Sequence, residues 1–258
     1  MSRFSRLEFE GKRTVSSDMK GEPIRDETFF YERATVAWLA GDFETALTNY
    51  SRSLEKNSAY YDSWFGQIRM LIELGEYREA KIWADKALEL FPEHAELFSA
   101  KAVACVRDAE FDKAQAYSDN AVQKQRATWY VWLARAEVLL NRKSRTAESC
   151  ISSAISISRD EGAVARLEAG RLLLQFGNYS SALAYLQEAF TELPKSALVW
   201  YELGRCQSQL GMPATEKTLQ HCLTLRPGWK LPAQELSRFR GRGLFGKLSG
   251  LFRRIRRH

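Results

Sequence analysis

Small residues recur every thirty-four positions along this chain: Gly41, Gly75, Ala109, Gly177 and Gly211 share one ladder, with Lys143 on the remaining rung. Two residues past four of these rungs stands an aromatic: Phe43, Tyr77, Phe111 and Tyr179. Trp64, Trp132 and Trp200 keep the same time, two periods apart. A fixed period of this length constrains the fold more tightly than any composition. Each unit is one pair of elements that cannot bury its apolar face alone, so neighbours must stack into a continuous core. Such a stack presents a surface, and nothing in it requires catalytic chemistry.

The period divides residues 27–228 into six units: 27–60, 61–94, 95–128, 129–162, 163–195 and 196–228. The first carries Phe30, Gly41-Asp42-Phe43, Ala46 and Tyr50, and the second Trp64, Gly75-Glu76-Tyr77, Ala80, Ala87 and Pro92. The third carries Phe98, Ala102, Phe111, Ala114 and Ala121. The fifth carries Ala169-Gly170, Gly177-Asn178-Tyr179, Ala182, Ala189 and Pro194, and the sixth Trp200, Leu203-Gly204, Gly211 and Pro227. In this order and spacing they resemble the tetratricopeptide repeat family, whose unit is two antiparallel helices, A and B. The resemblance implies an all-α, right-handed superhelical solenoid of about six hairpins.

The physics of the residues agrees. Small side chains recur where a helix must approach its partner closely, and aromatics fill the holes between hairpins. Glycine supplies the left-handed turn that ends helix A, and proline stops helix B. Unit four departs, with Asn141-Arg142-Lys143-Ser144-Arg145 in its turn and with Ala147 and Ala154 one residue early. A shifted helix B is expected there, and its basic turn reads as a solvated loop. Unit six weakens too, with Pro213 and Thr215 replacing the aromatic and an alanine. After it, residues 229–240 are expected to form a capping helix with Pro232 in its first turn.

In this family helix A lines the concave surface where partners lie. The resemblance therefore assigns a peptide-binding groove to Tyr31, Thr35 and Trp38 in the first unit, and to Phe65, Arg69 and Ile72 in the second. It continues through Val103 and Val106, then Leu133, Glu137 and Leu140. Leu167, Arg171 and Leu174 follow, and Tyr201 and Arg205 end the series. This face is more apolar than a solvated groove. Two readings stand: it seats an amphipathic helix or extended peptide, or superhelical curvature buries part of it. One subset of the family clamps the terminal carboxylate of chaperone tails with lysines and asparagines. The matching slots here hold Tyr31, Thr35, Gly66, Glu96 and Ala100, so that clamp is absent.

Net charge is +6, and its distribution says more than its sum. From Ser237 onward there are eight basic residues and no acid, which leaves the first 236 residues with 30 basic against 32 acidic side chains. Residues 241–258 thus form a basic tail. On a helix, Leu244, Phe245, Leu248, Leu251, Phe252 and Ile255 fall within an arc of about 120°, while Lys247, Arg253, Arg254, Arg256 and Arg257 fall outside it. At about 21 Å such a helix is too short to cross a bilayer and suits the plane of an anionic membrane surface. Its rivals are docking on the last repeat, docking in a partner's groove, and nucleic-acid binding through the arginines. The strict apolar stripe disfavours nucleic acid.

Residues 1–26 read as a flexible arm in which Phe4, Leu7 and Phe9 could anchor against the first hairpin. Charges every few positions there argue against a secretory signal, and no apolar run is long enough to span a membrane. Cys105, Cys150, Cys206 and Cys222 form no CxxC pair and read as buried small hydrophobes. His94, His221 and His258 have no paired ligand spacing, and no metal or cofactor is expected. The expected function is a non-enzymatic protein–protein interaction scaffold or adaptor in the cytoplasm, with no small-molecule substrate, held on the cytoplasmic face of an anionic membrane by its tail. The alternatives are a nucleic-acid-associated scaffold, or a tail that docks on a partner or caps the solenoid itself.

Overall fold

The computed structural model describes residues 25–124 and 127–241, and among them every regular element is helical. Paired helices follow the period: α1 Glu27–Leu39 with α2 Phe43–Lys56, α3 Tyr61–Glu73 with α4 Tyr77–Leu90, and α5 Ala95–Arg107 with α6 Phe111–Gln123. They continue as α7 Trp129–Asn141 with α8 Ala147–Ile157, α9 Gly162–Gln175 with α10 Tyr179–Glu192, and α11 Ala197–Gln209 with α12 Thr215–Leu225. A helical run over residues 230–241, here α13, comes after α12. The described chain is an all-α solenoid of helical hairpins. Its hairpins fall into two compact units, one reaching to Ala127 and one running from Thr128.

The ladder is a ladder of backbone conformation. All six rungs have positive φ: Gly41 at 75°, Gly75 at 79°, Ala109 at 59°, Lys143 at 55°, Gly177 at 77° and Gly211 at 66°. Each turn closes with the same hydrogen bond, from the amide just after the rung to the carbonyl four residues before the rung. Glu76 N donates to Leu71 O at 2.9 Å, and Glu110 N to Cys105 O at 2.8 Å. Ser144 N donates to Leu139 O at 3.0 Å. These bonds satisfy carbonyls that helix A leaves unpaired at its end. Ala109 and Lys143 hold a conformation that costs a side-chain-bearing residue about 1 kcal/mol, so the geometry is retained where glycine is not. The fourth hairpin differs instead in where its helix B begins. Its α8 starts four residues past the rung, where α2, α4, α6 and α10 start two past it. The α12 helix is delayed in the same way, after Pro213.

Within each unit small residues let helices touch. Ala46, Ala80, Ala114 and Ala182 are fully buried at one position of helix B. Two of the recurring tryptophans tie their A helix to the loop before it. Trp64 Nε1 donates to Ser58 O at 2.8 Å, and Trp200 Nε1 to Pro194 O at 2.7 Å. Ion pairs cross from one hairpin to the next. Lys81 on α4 reaches Asp108 at 2.7 Å and Glu110 at 2.8 Å beyond α5, and Lys101 pairs with Asp85. Hydrogen bonds from Lys81 and Lys113 hold the Glu110 carboxyl down to about 2, so this contact persists under acid until pH falls through that value. In the second unit Arg166 spans to Glu188 and Glu192 on α10, at 2.7 and 3.1 Å.

Candidate functional site

The A helices carry the candidate groove because residues at i, i+4 and i+7 share one helical face. In the first unit, α1 supplies Tyr31, Thr35 and Trp38, α3 supplies Phe65, Arg69 and Ile72, and α5 supplies Val103 and Val106. Trp38, Ile72, Val103 and Val106 are buried. Tyr31, Thr35, Phe65 and Arg69 are half-buried.

These four form one neighbourhood. The Arg69 guanidinium lies 5.5 Å from the ring centroid of Phe65 on its own helix and 4.5 Å from that of Trp38, which joins α3 to α1. Tyr31 packs at 5.8 Å on Tyr50 and at 5.6 Å on Tyr60. Thr35 Oγ1 donates to Tyr31 O at 3.1 Å and lies 3.5 Å from the Tyr50 hydroxyl. Burial, with Tyr50 and Asp62 adding to it, pushes the Tyr31 hydroxyl up to about 12, so it remains a neutral hydrogen-bonding group through the physiological range. Tyrosine, phenylalanine and arginine are among the side chains that protein interfaces concentrate.

In the second unit Leu133, Glu137, Leu167 and Leu174 are buried, while Leu140, Arg171, Tyr201 and Arg205 are half-buried. Read singly in the sequence, Arg171 and Arg205 look isolated. The structure joins them through Glu202, which is 2% exposed. Arg171 Nε lies 3.2 Å from Glu202 Oε1, and Arg205 Nη1 lies 2.7 Å from Glu202 Oε2. Arg171 also reaches Glu168 at 3.0 Å. Tyr201 sits under Arg205 at 5.5 Å and against Trp229 at 4.8 Å, and burial pushes its hydroxyl up to about 12. Sequence reasoning missed Glu168 and Glu202. The signal was present: Glu168-Ala169-Gly170-Arg171 recurs one period later as Glu202-Leu203-Gly204-Arg205. The groove positions of α9 and α11 therefore carry a charge stripe that is paired within itself.

Reactive groups are few. All four cysteines are buried and free. Burial pushes Cys105 and Cys206 up to about 11 and Cys222 up to about 12, so none of these three is a thiolate near neutral pH. Among the described residues no group of three His, Cys, Asp or Glu side chains could hold a metal ion. No helix among them is long and apolar enough to cross a membrane. The basic tail, with Leu244 through Arg257, lies outside the described residues, as do residues 1–24 of the arm.

Tetratricopeptide repeat models match residues 31–95 and 163–206. The chain is 33% identical over 84 residues to the SGT1 homolog of Oryza sativa subsp. japonica, a match covering 33% of this chain and 23% of that protein. It thus spans less than a quarter of that relative's length. Among solved structures it is similar to TTC0263, a thermophilic TPR protein of Thermus thermophilus, with a TM-score of 0.54 at 19% identity. That match covers 71% of this chain and 98% of TTC0263. It is also similar to the APC/C hetero-tetramer Cut9–Hcn1, with a TM-score of 0.53 at 14% identity over 83% of this chain and 43% of that one. Six turns of one geometry, alanines buried in register and two matched segments lead to one conclusion: the chain belongs to the tetratricopeptide repeat family.

Proposed function

We propose that this chain is a non-enzymatic adaptor that binds a protein partner along its A helices and attaches to an anionic membrane through its basic tail. The repeat architecture is that of a protein-interaction scaffold. The observation that carries the binding reading is the half-buried neighbourhood of Tyr31, Thr35, Phe65 and Arg69. It offers an amphipathic helix or extended peptide two aromatic faces and a cation. In the second unit Leu140, Tyr201 and Arg205 offer similar chemistry.

The tail reading rests on sequence. Leu244, Phe245, Leu248, Leu251, Phe252 and Ile255 separate cleanly from Lys247, Arg253, Arg254, Arg256 and Arg257 on a helix. A segment of that kind lies in a membrane interface, where each basic residue adds roughly 1 kcal/mol near an anionic leaflet. Vesicle flotation tests it. Full-length protein is expected to float with phosphatidylserine-containing vesicles and to stay at the bottom with neutral ones. A chain ending at Arg240 is expected to stay at the bottom with both. Unchanged flotation after truncation, with loss of RNA or DNA binding instead, would overturn the membrane reading in favour of a nucleic-acid-associated scaffold.

A further inference from the structure

The fourth turn differs from the other five in charge. From one residue before the rung to two after it, those five contain no Lys or Arg, whereas the fourth reads Arg142-Lys143-Ser144-Arg145. All three cations are exposed, and the next acidic residue in the sequence is Glu148. The first three turns carry a carboxylate in that stretch: Asp42, Glu76 and Glu110, each at the N-cap of its B helix. The Asp42 side chain accepts from Thr45 N at 3.3 Å.

The residue at the N-cap of α8 is Thr146, and its side chain makes no capping bond. Its Oγ1 lies 2.8 Å from Ser144 Oγ, which also accepts from Thr146 N at 3.3 Å. Thr146 is exposed, whereas Ser144 is half-buried. Counted back from Thr146, the cations stand one, three and four residues before it. Protein kinases choose substrates by such charge patterns, pairing Arg and Lys beside the acceptor with their own carboxylates.

We propose that Thr146 is a phosphoacceptor for a basic-directed protein kinase, with ATP as the donor. Thr146 Oγ1 attacks the γ-phosphorus, and the new O–P bond forms as the bond to the ADP oxygen breaks. The hydroxyl proton passes to a carboxylate of the kinase, and ADP leaves. The product carries a charge of about −1.5 to −2 near pH 7 and three strong acceptor oxygens. It places an anion at the start of α8, where the first three hairpins place a carboxylate at the start of helix B. Arg142, Lys143 and Arg145, all within four residues of it, supply cationic partners for the phosphate. Modification thereby changes the basic turn in two ways: most of its positive charge is cancelled, and the first turn of α8 gains a cap. Neither the A-helix groove nor the tail takes part, so the site stands apart from the adaptor reading.

Phosphorylation of the folded, full-length protein tests it. The protein is incubated with MgATP and the catalytic subunit of cyclic-AMP-dependent protein kinase, a basic-directed probe, and the sites are mapped by mass spectrometry. Phosphate is expected on Thr146. Replacing both Arg142 and Lys143 by alanine is expected to slow its addition at least about tenfold, and Ser144→Ala to leave the site unchanged. In the phosphorylated protein the amides of residues 147–149 are expected to exchange at least about threefold more slowly, because they gain an anionic acceptor. Unaltered exchange in α9 and α11 reports an intact fold in every variant. Phosphate on Ser144, on Ser149 or outside the turn, with none on Thr146, would overturn the assignment. So would phosphorylation of Thr146 only after unfolding in urea, or at an undiminished rate without Arg142 and Lys143. Unchanged or faster exchange of residues 147–149 at full occupancy would overturn the capping.

Discussion

Gly204→Val is expected to destabilise the second unit by about 3 kcal/mol, near the upper end of what overpacking costs. The Cβ alone would lie 2.4 Å from Leu219 Cδ2 and 2.8 Å from Leu219 Cγ. Leu219 is fully buried and cannot swing aside. The added branches enlarge the clash and lower helix propensity in the middle of α11. Urea denaturation followed by far-UV circular dichroism measures the loss, with Gly75→Ala as the contrast. Gly75 has open space about it and φ of 79°, so its alanine meets backbone strain alone, about 1–2 kcal/mol. Equal losses from the two substitutions would mean that α11 and α12 are not in contact at this point.

Glu202→Leu removes the carboxylate that two arginines share, at an expected cost of about 3 kcal/mol. Arg171, with 16% of its side chain exposed, loses its link to α11, and Arg205, at 38%, turns more readily to solvent. The loss is therefore expected to fall mainly on the α9–α11 contact. A double-mutant cycle with Arg171→Met isolates it. The two losses should be less than additive, because both substitutions remove the same Arg171–Glu202 pair. Additive losses would place the stabilising role of Glu202 elsewhere.

Much of the architecture is legible in the residues. The rung residues mark the left-handed turn that ends each A helix, and the early Ala147 marks the displaced start of α8. Lys143 shows the limit of reading glycine alone, since the backbone there keeps the same hydrogen bond at a rung without glycine. The candidate site is less legible, for two physical reasons. Leu167 and Tyr201 sit at equivalent helical positions, yet one is fully buried and the other half-open. Periodicity fixes which face a residue is on, and the neighbouring hairpin fixes whether that face is covered. The Arg171–Glu202 pair joins residues thirty-one apart. A scan for charge pairs one turn apart finds Glu168–Arg171 and Glu202–Arg205, and only stacking of α11 on α9 links them.

The binding surface on α1 and α3 is tested most directly by photocrosslinking in the cells that make the protein. A benzophenone side chain replaces Phe65 in one full-length variant, and Ile82 on α4, which is 55% exposed, in another. The expected result is a discrete protein adduct from position 65, lost on Arg69→Glu, and none from position 82. Adducts of the same size and yield from both positions, or none from position 65, would contradict a partner seated on the A helices.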